Sequence, residues 1–253
     1  DIVRQKYLMR LYSPLMHAFL QRADRIVAAS PNYLETSPVL KRYQDKTVMI
    51  PYGLDRSGYP VPGEACVARW EQRFGRRFFL FVGVLRYYKG LHILLEAAQG
   101  TTYPIVIVGS GPLEQELRAR AAALGLANVH FVGHLGEEDK VALLQLCSVL
   151  LFPSHLRSEA FGISLLEGAM YGKPMISCEI GTGTSYINAH GETGLVVPPS
   201  NPAAFREAMR TLWDNAEQAQ EMGRKASQRY QQLFTSERMG QQMASLYREL
   251  LNG

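Results

Sequence analysis

The chain has 253 residues, 47% of them hydrophobic, which suits one large domain or two smaller ones with a packed core. No apolar run reaches the roughly 18 residues of a membrane-spanning helix, and Asp1-Ile2-Val3-Arg4 opens no secretory signal, so a cytoplasmic location is expected. The formal charge of +4 lies wholly in residues 1–46, with eight Lys and Arg against four Asp and Glu; the rest balances at nineteen each, and no nucleic-acid partner is expected.

Residues 2–21 follow a helical pattern. Arg4, Lys6, Arg10, Arg22 and Arg25 accompany Tyr7, Leu8, Leu11, Tyr12, Leu15, Phe19 and Leu20. That distribution fits an amphipathic helix resting on anionic lipid through residues 1–25, or an ordinary helix packed on a sheet with a solvated basic face. Residues 25–29 predict a short strand. Ser30 then caps a second helix with Pro31 at its first position, expected to run to Tyr43 through Pro38. Residues 47–50 predict another strand, and 51–55 a loop. Two parallel strands cannot bury both faces of a sheet. Residues 1–55 are therefore expected to be the end of a larger domain whose beginning is absent.

Residues 56–75 read as a Gly- and Pro-rich connection leading into a helix at 64–74. A regular alternation follows. Strands are predicted at 78–82, 104–108, 129–132, 149–152, 174–177 and 194–197. Leu91, Leu94, Leu95 and Ala98 form one helical stripe between them, and Leu113, Leu117, Ala121 and Leu124 a second. This is the pattern of an α/β doubly wound parallel sheet, whose ligands bind beyond the carboxyl ends of the strands. The domain is placed at 76–230. Helices are expected at 202–213, 216–230 and 236–251, with 231–253 packing back on the first domain.

Several strand ends carry turn residues that suit an anion. Gly83 to Gly90 follows the first strand of the second domain, and glycine there lets the backbone approach a ligand while Arg86 and Lys89 neutralise a diphosphate. Gly109-Ser110-Gly111-Pro112 is a second glycine turn at a helix start, and Gly181-Thr182-Gly183 a third small-residue loop. After the strand at 149–152, a helix opening near Phe161 or Gly162 presents free N–H groups and a positive dipole end. Glu159 precedes that end and Glu167 lies about 8 Å along the axis from it. An anion held there has a carboxylate on either side, the layout of hydroxyls, diphosphate and hydroxyls in a sugar nucleotide; the pair alone also fits a helix with one capping and one exposed acid. His134 and His155 follow strand ends and could line the cleft, whereas His17, His92 and His130 read as packed or surface residues. Cys66, Cys147 and Cys178 lack metal-ligand spacing and are expected as buried reduced thiols. No metal or cofactor is implied.

The order of Val82-Gly83 to Lys89-Gly90, Val108 to Leu113, Phe131 to Leu135, Phe152-Pro153-Ser154, Glu159 to Glu167, Gly172-Lys173-Pro174 and Gly191 to Pro198 resembles GT-B glycosyltransferases of the retaining family 4 type. The resemblance covers almost the whole chain. It implies a GT-B fold, with residues 75–230 resembling the donor-binding domain and 1–55 the last part of an acceptor-binding domain. It also implies that Glu159 sits against the transferred sugar and Glu167 holds the ribose hydroxyls. Lys89 and the N–H groups around Gly162 and Ile163 would contact the diphosphate, and His134 and Leu135 would edge the base.

The family usually has arginine directly after the first loop's glycine; Val84 stands there, with Arg86 as the expected substitute. Arg86 to Leu91 and Ser177 to Tyr186 look most like bacterial O-antigen mannosyltransferases. The expected donor is GDP-mannose and the acceptor lipid-linked or a polysaccharide, at the inner face of the cytoplasmic membrane. Two rivals stand beside this: a truncated, non-catalytic sugar-nucleotide-binding module or one chain of a split enzyme, and a sugar-nucleotide epimerase, which the motif order disfavours.

Overall fold

The computed structural model describes residues 6–252, the side chains of 6–9 and 11 excepted. Arg4 and the expected helix start at residue 2 lie outside them. Helix α1 (Lys6–Arg22) leads into strand β1 (Ile26–Ala28), which pairs in parallel with β2 (Thr47–Met49). Between them the single helix expected from Ser30 to Tyr43 is two: α2 (Pro31–Thr36) and α3 (Pro38–Arg42). The residue before a proline is driven out of the helical region, and Ser37 is extended at φ −90° and ψ 113°. Its Oγ then accepts the Leu40 N–H at 3.2 Å, so the residue that ends α2 caps α3.

After α4 (Glu64–Phe74), six parallel strands form the main sheet: β3 (Phe79–Val82), β4 (Ile105–Val108), β5 (Val129–Gly133), β6 (Val149–Phe152), β7 (Met175–Cys178) and β8 (Gly194–Val197), in the order β5-β4-β3-β6-β7-β8. The strands are short apolar runs because both faces are covered. Successive side chains point to opposite faces. Phe79, Phe81, Ile105, Ile107, Val149 and Leu151 enter one core, covered by α5 (Leu91–Ala98), α6 (Glu114–Ala123) and α10 (Pro202–Asp214). Leu80, Val106, Val108, Leu150 and Phe152 enter the other, under α4, α7 (Glu137–Leu146), α8 (Ile163–Met170) and α11 (Ala216–Leu233). Each fully buried Phe or Leu contributes roughly 1.5–3 kcal/mol.

A short α9 (Thr184–Ile187) follows β7, and α12 (Ser236–Asn252) closes the chain. The Leu54 N–H donates to Phe234 O at 2.9 Å and the Ser236 N–H to Leu54 O at 3.0 Å. Arg25 pairs with Glu249 at 3.3 Å, so α12 touches the first segment. On α1, Tyr12, Leu15 and Phe19 are exposed, the last two at 70% and 72%, rather than packed on a sheet. No helix among the described residues is long and apolar enough to cross a membrane.

Candidate functional site

The strand order decides where a ligand can enter. From β3 the chain runs outward through β4 to β5, then returns to lay β6 on the other side of β3. The loops after β3 and β6 therefore diverge around a crevice at the carboxyl edge of the sheet. They also touch. Gly90 has φ +70°, and a Cβ there would lie 2.0 Å from Pro153 O, so only glycine permits the contact. The His155 N–H donates to Tyr88 O at 3.0 Å across the same junction.

Lys89 and Glu159, seventy residues apart, meet in this crevice. Lys89 Nζ is 2.5 Å from Glu159 Oε2, with both side chains about nine-tenths buried. Ser154 Oγ donates to the same oxygen at 3.2 Å. The ammonium also lies 5.0 Å from the Phe152 ring centre and 5.4 Å from that of Tyr88. A buried ion pair is tolerated because each charge satisfies the other. An anion brought against Lys89 would compete with Glu159 for the ammonium and free a carboxylate oxygen to accept a hydroxyl.

Helix α8 opens four residues beyond Glu159. Its N-cap is Gly162, with φ +103°. The first helical N–H groups, those of Ile163 and Ser164, have no carbonyl one turn back to bond. On the helix, Glu167 is 6% exposed. Its Oε1 accepts from Lys140 Nζ at 2.7 Å and from the Tyr59 hydroxyl at 3.0 Å. Burial raises the Tyr59 phenol's pKa, and the charge and hydrogen bond of Glu167 raise it further. Burial alone would lower Lys140, but hydrogen bonds and charge from Glu137 and Glu167 outweigh it and hold the ammonium above its ordinary value.

Beside the Glu167 cluster lies a cleft of about 340 Å³ lined by Gly83, Gly109, Ser110, His134, Leu135 and Lys140. Gly109 has φ +131°, and a Cβ on it would sit 2.0 Å from Gly83 O. The first two glycine loops thus interlock to make the wall.

The structure brings Gly83, Lys89, Gly109, His134, Leu135, Glu159, Gly162, Ile163 and Glu167 to one sheet edge. Arg86 is not part of the cleft: it is exposed and lines a separate cavity with Tyr88, Leu113, Leu156 and Ser158. Leu85, fully buried, turns the chain between Val84 and Arg86. Phe161 is buried, its ring 5.1 Å from that of Tyr52.

His155 does not line the cleft, contrary to expectation. It is 7% exposed, with Nδ1 3.0 Å from Ser200 Oγ and Nε2 3.1 Å from Tyr87 O. The Gly181 to Gly183 loop is closed by packing; Thr182 is fully buried, and Gly183 abuts Phe161. Cys147 and Cys178 are buried thiols, pushed up to about 11 and about 12 by burial, but Cys66 is partly exposed and lies 3.2 Å from Asp139 Oδ1. Sequence reasoning missed Ser154, Tyr59 and Lys140. Lys140 follows the His134-Leu135 loop by one helical turn, and that spacing was the signal available. Among the described residues no group of three or more His, Cys, Asp and Glu is arranged to hold a metal ion.

Residues 68–229 match the family described as glycosyl transferases group 1. The chain belongs to that family. It is 70% identical over 236 residues to D-rhamnosyltransferase WbpZ of Pseudomonas aeruginosa, covering 93% of this chain and 62% of that protein. It is 53% identical over 251 residues to O-antigen chain mannosyltransferase C of Escherichia coli, covering 99% and 67%. The chain thus spans about two thirds of the length of these relatives.

Sucrose-phosphate synthase from Thermosynechococcus elongatus superposes with a TM-score of 0.83 at 26% identity over 99% of this chain and 64% of that one. Anabaena HepE, solved with UDP and glucose, superposes with a TM-score of 0.80 at 21% identity over 93% and 66%, a likeness of fold alone. The group 1 chain described here has the GT-B-type α/β fold of these neighbours.

Proposed function

We propose that this chain is a retaining glycosyltransferase of the family 4 type that moves a hexose of D-manno configuration, best mannose from GDP-mannose, to a lipid-linked or polysaccharide acceptor in O-antigen synthesis. The observation that carries the reading is the buried Lys89–Glu159 pair in front of the α8 start, with Glu167 farther along the same helix. The diphosphate takes Lys89 and the N–H groups of Ile163 and Ser164. Glu167, already oriented by Lys140 and Tyr59, accepts the ribose hydroxyls. Glu159 then faces the hexose. The names of the two relatives above support this choice of sugar: D-rhamnose is 6-deoxy-D-mannose, so the two share one ring configuration.

Transfer breaks the bond from the anomeric carbon to the diphosphate oxygen and forms one to the acceptor oxygen on the same face. The acceptor's proton passes to the departing phosphate oxygen. Lys89 and the α8 start stabilise the charge that develops there. The exposed Tyr12, Leu15 and Phe19, near Arg10 and Arg22, support peripheral contact of α1 with an anionic membrane at its cytoplasmic face.

Calorimetry tests the roles. Glu167→Ala is expected to weaken binding of GDP itself. Glu159→Ala is expected to weaken GDP-mannose more than GDP. Equal losses for both ligands in both variants would refute the assignment. In a thermal-shift screen, GDP-mannose should stabilise the protein more than UDP-glucose does.

A further inference from the structure

The cavity that holds Arg86 is larger than the nucleotide cleft, about 720 Å³, and has no assigned occupant. Its wall includes residues of the two loops that carry Lys89 and Glu159, on either side of the Gly90–Pro153 contact. Leu113, in its wall, packs on the core under α5 and α6, whereas Leu135, in the nucleotide cleft, packs on the core under α7 and α8. Lys89 Cε is 3.7 Å from where a Cβ on Gly83, in the nucleotide cleft, would be. Glu159 directly follows Ser158 of the cavity wall. Its backbone N–H bonds Leu156 O at 3.0 Å, and its charge helps raise the Tyr88 phenol's pKa, second to burial and against Arg86. A ligand in this cavity therefore touches the two loops that carry the reacting groups.

The wall is chemically mixed and partly rigid. Tyr87 is 50% exposed, with one face stacked on His92 at 5.0 Å and 7° between planes, and with an edge contact to His155 at 5.0 Å. The His155 Nε2–H donates to the Tyr87 carbonyl at 3.1 Å and fixes the backbone beneath that ring. A held aromatic with a free face offers stacking area without an ordering cost. Leu156, 37% exposed, adds a second apolar surface. Around them the Arg86 guanidinium and the hydroxyls of Tyr88 and Ser158 supply hydrogen bonds. An aromatic face rimmed by hydroxyls and a guanidinium complements a pyranose, which has an apolar C–H face and an equatorial belt of hydroxyls.

We propose that this cavity is an acceptor subsite that holds a pyranose residue of the growing glycan, stacked on Tyr87, while the donor occupies the cleft across the Lys89–Glu159 pair. The assignment rests on the donor reading given above. It adds that the acceptor is gripped by this domain and that the grip selects a sugar already in the chain.

The test titrates the whole chain with mannotriose in the presence of saturating GDP, by saturation-transfer NMR. Mannotriose is expected to bind, and Tyr87→Ala or Leu156→Asp to weaken it by about three- to tenfold, the loss of one stacked or apolar wall. GDP affinity, measured in parallel, should stay within about twofold of its original value in Leu156→Asp. Unchanged mannotriose binding in both variants overturns the proposal, as does a protein that binds GDP but no mannotriose. Displacement of mannotriose by GDP-mannose but not by GDP would give the cavity to the donor's own hexose and overturn it too. A chain that binds no GDP strikes the donor reading first, so the two failures are distinguishable.

Discussion

Removing Lys89 leaves the Glu159 carboxylate, at a side-chain exposure of 11%, with the Ser154 hydroxyl as its one side-chain hydrogen-bond partner among the described residues. Stranding a buried charge in this way costs about 3–5 kcal/mol, more than the intact pair contributes. Lys89→Met should therefore lower the urea midpoint markedly, and adding Glu159→Gln should restore most of it. If the double variant is as unstable as the single one, the pair is not what holds the two loops in place. Lys89→Ala should also flatten the dependence of GDP affinity on ionic strength, because the proposed phosphate contact is gone.

Lys89 and Glu159 were legible in the sequence because each sits at a fixed offset from a glycine or a helix start. Lys140 and Tyr59 were not: they reach Glu167 from 27 and 108 residues away, a proximity that only the packing of α4 and α7 under the sheet creates. Arg86 shows the opposite error. It is two residues from Val84, yet the inward turn of Leu85 puts the two side chains in different cavities.

At the scale of elements, the wall of the proposed nucleotide cleft depends on two loops meeting backbone to backbone at Gly83 and Gly109. An alanine at 109 must hold φ near +131° and fit a methyl 2.0 Å from a carbonyl oxygen. Gly109→Ala should cost on the order of 2–4 kcal/mol and remove GDP binding with it. Gly136→Ala, in the same region but with open space around the added methyl and no positive φ, should be close to neutral. Chemical denaturation and calorimetry of the two variants separate a requirement for close approach from general intolerance.

The strands themselves were readable as apolar runs, because a parallel sheet covered on both faces needs nothing else. The break at Ser37 is less legible, because helical-looking stretches lie on both sides of Pro38, although the pre-proline restriction prevails in the fold. The same scale applies to α1. Its exposed Leu15 and Phe19 predict sedimentation with vesicles rich in phosphatidylglycerol and not with neutral ones, and Phe19→Glu should abolish it.

For the whole molecule, acid should act first through histidines. His92, His130 and His155 all have pKa values lowered from 6.5, each mainly by burial. His155 adds to the lowering of His92, as does Arg120, with Glu96 and Glu116 opposing; Arg73 lowers His130, and the Tyr87 carbonyl opposes the fall at His155. A group whose folded pKa is depressed takes up its proton more readily when unfolded. Its stabilisation is complete above about pH 6.5 and is lost as pH falls through the folded value. Asp55, Asp139 and Glu221 are also held below their ordinary values, but those lie at 3.8, 3.8 and 4.5, so their contribution is lost only in stronger acid. Between about pH 7 and pH 5 the fall in stability should then belong to the histidines.

Two of the three histidines meet ring to ring at 5.0 Å under the Lys89 turn, so protonating both places like charges where the turn is anchored. Urea midpoints measured across this range should drop for the parent protein and drop less for His92→Gln combined with His155→Gln. GDP affinity should follow the same pH course in the parent. An identical pH slope in the double variant would move the acid sensitivity elsewhere in the fold and leave the anchoring of the turn without support.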